Sequence, residues 1–223
     1  MELEEIKKSI KQWDTSRIEY AVMQKLFSSK NCFTFTLSDV GILDNEECIH
    51  AYLSVTREGT SDVLTMLLIA SSNDKKEQTD IHKYVTKCEI ISEAIPKKDI
   101  VDPQEAKLRI GNWENHCETW LKSRLDQKEE LHQVFVIPKR YLQNDRTYTA
   151  FFALKDALGI PNTTNSLVGD MIIWDKTNNT ITYPNHEDTS DTFYNTIHLI
   201  PPFTQREPKE QFYLLELANA TYD

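Results

Sequence analysis

The residues of this chain best suited to hold a metal ion lie close together towards its end. His186, Glu187, Asp188 and Asp191 fall within six residues, and His198 follows seven later. Two imidazoles with one or two carboxylates suit zinc, manganese or iron. If His198 sits on a strand, it would approach His186 across the intervening loop. On that reading His186, Asp188, Asp191 and His198 are the ligand set of a metal-dependent hydrolase. The plainer reading, and the favoured one, is a solvated loop of Asp, Ser and Thr followed by a half-buried strand histidine.

A second pattern is the nuclease arrangement of two carboxylates and a lysine, which Asp62, Asp74 and Lys76 could supply. That chemistry needs the Asp-x-Lys element on a strand that fixes its geometry around a divalent metal. Here it lies in Ser71–Glu77, which reads as a polar surface loop, so the pattern is set aside. Cys32, Cys48, Cys88 and Cys117 are widely spaced, with no zinc or redox pairing, and read as buried free thiols. His116 and Cys117 adjoin on a helical pattern, where neighbours point about 100° apart, which makes them a poor catalytic dyad. General acid–base pairs and Ser-His-Asp triads have no local signature here to select their members.

Five glycines, no two closer than ten positions, narrow the field further. Backbone phosphate cradles need clustered glycines, so a Walker A loop, a GxGxxG fingerprint and a GxSxG elbow are absent. No cofactor is expected. A net charge of −10 opposes nucleic acid and anionic lipid as partners. The longest near-apolar run, Val63–Ala70, falls far short of the roughly twenty residues of a membrane helix. The acidic start, Met1–Glu5, does not resemble a secretory signal, and a cytoplasmic protein is expected.

The elements that would position any such groups read as follows. Leu3, Ile6, Ile10 and Trp13 repeat at helical spacing. Ser16 and Glu19 form a capping-box pattern ahead of a second helix with Ile18, Val22 and Leu26 on its buried stripe, although one bent helix is the alternative. Cys32–Leu37, Ile49–Val55 and Val63–Ala70 read as strands. Ser71–Asp80 is a polar loop, and Ile81–Ile95 fits helix or strand equally. Asp102-Pro103-Gln104-Glu105 marks a helix start, and Ile110, Trp113, Cys117, Trp120, Leu121 and Leu125 form the core face of the helix that follows. Leu131–Ile137, Thr147–Leu154, Met171–Trp174 and Thr180–Tyr183 are further strands, the last two joined as a hairpin. Phe212–Leu217 is a short final helix.

Glu5, Lys7, Ile10, Trp13 and Asp14 recur at a constant offset of one hundred as Glu105, Lys107, Ile110, Trp113 and Glu114. His50 and His132 each open a strand pair, ending in Leu64–Leu68 and Tyr148–Phe152. Duplication explains this, and so does convergent amphipathic patterning. The expected fold is α+β, mainly antiparallel sheet packed against amphipathic helices. It is a single domain over 1–223, or else two related halves at 1–96 and 102–223. The expected function is a non-enzymatic interaction or structural protein, such as an assembly subunit, with a protein partner or self-association. Its candidate binding face is Phe193–Phe203, although an edge strand packed on its own domain is the preferred account of that stretch. The alternatives are the metal-dependent hydrolase above and a small-ligand protein that binds between two halves.

Overall fold

In the computed structural model of this protein, the described residues are 1–28, 30–42, 46–92, 104–129, 131–156, 167–177, 180–182, 198–200 and 211–220. Helices α1 (Leu3–Ser16) and α2 (Tyr20–Leu26) precede strands β1 (Asn31–Thr36), β2 (Cys48–Glu58), β3 (Ser61–Ala70), β4 (Thr86–Glu89) and β5 (Ile91–Ser92). Helix α3 (Gln104–Asp126) then precedes β6 (Val134–Pro138), β7 (Thr147–Asp156), β8 (Leu167–Asp175), β9 (Thr180–Thr182) and β10 (His198–Ile200), and α4 (Tyr213–Asn219) closes the chain. The fold is α+β, with two antiparallel five-stranded sheets in the orders β5-β1-β7-β8-β9 and β10-β6-β2-β3-β4.

The two orders are the same sentence read from each half of the chain. Each central hairpin, β2–β3 or β7–β8, takes as its neighbour the first strand of the other half. The registers carry the match to single residues. Ala51 on β2 lies opposite Phe135 on β6 and Leu68 on β3, while Ala150 on β7 lies opposite Phe33 on β1 and Ile173 on β8. Strand alternation sends these residues inward. They build one core between the sheets, with Phe33, Phe35, Ala51, Leu53, Met66, Leu68, Phe135, Ala150, Phe152 and Ile173 all buried.

The helices repeat the same logic. Ile6 and Ile10 of α1 cover the outer face of the second sheet, where Tyr52, Leu67 and Ile69 point, and Trp13 then turns into the central core. Ala106 and Ile110 of α3 cover Phe151, Ile172 and Trp174 on the first sheet, and Trp113 turns into the same core. Both indoles are tied to the loop that leads into an exchanged strand. Trp13 Nε1 donates to His132 O at 3.0 Å, and Trp113 Nε1 donates to Ser28 O at 3.2 Å.

Local readings differ from expectation at two places. Ser16 ends α1 and accepts from Gln12 at 3.2 Å, while α2 starts after Glu19 with no side-chain cap. Ile18 therefore falls in the break, 65% exposed, and the buried residues of α2 are Met23 and Leu26. Arg17 holds that break by bonding Asp14 and the Leu131 carbonyl. The open Ile81–Ile95 segment is described as far as Ser92, as a 3-10 turn at Ile81–Tyr84 and then β4 and β5, with Ile90 alone between them. That one extended run pairs with β3 in one sheet and with β1 in the other, so it ties the two sheets together along one side.

Candidate functional site

Alternation along β2 puts Cys48, His50 and Tyr52 on the face opposite Ile49, Ala51 and Leu53. That outer face is the one roofed by α1 and α4. A short 3-10 turn, Ser71–Asn73, follows β3 and swings Asp74 beneath the roof. Asp74 Oδ2 lies 2.7 Å from His50 Nδ1 and also accepts the Tyr52 hydroxyl. Its Oδ1 accepts the Leu214 backbone N–H at 3.0 Å, in the first turn of α4. Phe212 lies against the imidazole, ring centroids 4.7 Å apart. His50 is 3% exposed and Asp74 1%.

This is a charged pair sealed in an apolar layer. Burial by itself would lower the His50 pKa. The Asp74 hydrogen bond and charge, together with Cys48 on the same face of β2, outweigh it and raise the imidazole from 6.5 to about 9. The imidazole is thereby held in its protonated form at neutral pH. Burial, and then the Asp74 charge, also push the Tyr52 phenol well above its ordinary range, so it stays a donor. A lone buried charge would be costly, and the three contacts to Asp74 are what make this one tolerable.

The sequence placed Asp74 on an ordinary surface loop. The structure corrects this, because that residue is the hub of a buried polar cluster. Its nuclease pattern also dissolves. Asp62 pairs with Arg57 at the hairpin end of β3, whereas Asp74 follows the opposite end of the strand. The Asp74 carboxylate folds back to His50 and Tyr52, level with Ile69 and Leu67 of β3, and the strand from there to Asp62 spans roughly 17–23 Å, too far to share a metal. His186, Asp188 and Asp191 lie outside the described residues. His198 lies on β10, opposite Val136 of β6. Among the described residues no group of three or more His, Cys, Asp and Glu side chains could hold a metal ion. Of Phe193–Phe203 only His198–Ile200 are described, and they pair with β6 of their own sheet. His116 and Cys117 diverge as expected, since Cys117 is in the core and His116 is not.

Between the two halves, Trp13, Trp113, Trp120, Phe135 and Phe152 surround a gap of about 30 Å³. That is room for about two water molecules, and its wall is apolar. The three indole N–H groups donate to the carbonyls of His132, Ser28 and Leu167. The buried network on β2 escaped sequence reading because its parts are 24 residues apart. The legible trace was a histidine and a tyrosine at alternate positions of the strand, with Ile49, Ala51 and Leu53 on the other face.

No protein-family model, curated protein or solved structure matches the chain. Among the described residues no helix is long and apolar enough to cross a membrane.

Proposed function

We propose that this chain is a non-enzymatic structural or interaction protein, built from two related α+β halves that fold as one domain. The observation that carries the reading is the use of the Asp74 carboxylate. Both of its oxygens are committed to groups of the same chain, beneath a helix of the same chain. A carboxylate placed for acid–base work needs an oxygen that faces a substrate. This one anchors α4 to the sheet instead. The gap between the halves is smaller than a benzene-sized ligand needs, which weighs against the small-ligand alternative.

The exchange of β1 and β6 supports a single domain, because neither half completes a sheet from its own strands. The repeated strand order and the matching Trp13 and Trp113 bonds support an internal duplication. The partner is a protein, given a net charge of −10 that repels polyanions. Four free cysteines favour the cytoplasm.

Metal content by mass spectrometry, measured with molar mass by light scattering, tests this directly. The reading predicts a metal-free chain that is found above its own 26.0 kDa, as an oligomer or with a protein partner from the cells that make it. A stoichiometric metal that disappears in His186→Ala would replace it with the hydrolase alternative.

A further inference from the structure

We draw no further inference here: the strongest candidate, the buried Trp174 indole N–H that lacks an acceptor on the outer face of the first sheet beneath α3, carries nothing, because nothing in the structure shows what would accept its hydrogen bond.

Discussion

The outer faces of the two sheets occupy matching places and are built differently. On β2, His50 lies between Val136 and Ile69, and on β7 the matching Thr149 lies between Thr34 and Trp174. Tyr52 is matched in the same way by Phe151, and Cys48 by Thr147. Where one face holds an imidazolium, a phenol and a carboxylate, the other has the Thr34 and Thr149 hydroxyls 3.2 Å apart. That same face also carries an ion pair to its own cover, since Asp170, in phase with Ile172 and Trp174 on β8, meets Arg109 of α3 at 2.8 Å. The inward faces, by contrast, are alike: Ala51 and Ala150, Leu53 and Phe152, Met66 and Met171 occupy equivalent positions. The inward faces are thus alike in residue type, while each outer face answers to its own cover. The polar face is the one that must grip α4, a helix too short to be stable alone.

The largest effect should come from breaking the polar face at its hub. Asp74→Ala leaves the His50 cation and the Leu214 N–H buried without their acceptor, which costs about 3–5 kcal/mol. Chemical denaturation measures it, and a loss below about 1 kcal/mol would mean that the network is not a buried ion pair. Trp13→Ala and Trp113→Ala probe the shared core instead, at about 3–5 kcal/mol each. If the halves are equivalent there, the two losses should agree to within about 1 kcal/mol. A large disparity would confine the symmetry to the backbone.

The pH dependence separates the faces without mutation. The folded His50 pKa of about 9 exceeds the unfolded 6.5, so its stabilisation is full below 6.5 and fades as pH rises through about 9. The whole contribution is on the order of 3 kcal/mol. Unfolding free energy should fall across that window in the wild-type chain, and His50→Gln should flatten that part of the curve. The smallest effect is expected at Ile18, 65% exposed in the break between α1 and α2. Ile18→Ser should shift stability by less than about 0.5 kcal/mol in a thermal melt.

The likeness of α1 and α3 was legible because a helix must bury one stripe. Ile10 with Ile110 and Trp13 with Trp113 stood at the same offset in the sequence and occupy matching places in the fold. Strands were legible as strands, yet alternation does not say which neighbour a strand will take. Leu64–Leu68 was aligned with Tyr148–Phe152, whereas the registers match β3 with β8 and β2 with β7, a slip of one strand. His132 precedes β6 and so has no equivalence to His50 on β2. The exchange of β1 and β6 was invisible for the same reason. Asp74 was misread because composition marks a loop as polar without saying which of its side chains turns inward. Ile18 was misread because helical spacing continues through a break that Arg17 imposes from outside, by reaching to Leu131.

The most direct measurement of the central claim is the NMR titration of the His50 imidazole in the intact chain. A buried imidazolium locked to Asp74 predicts a midpoint of about 9, with Nδ1 protonated throughout the neutral range. A midpoint at or below 6.5 would show a neutral ring with no charge to hold, and α4 would need another anchor.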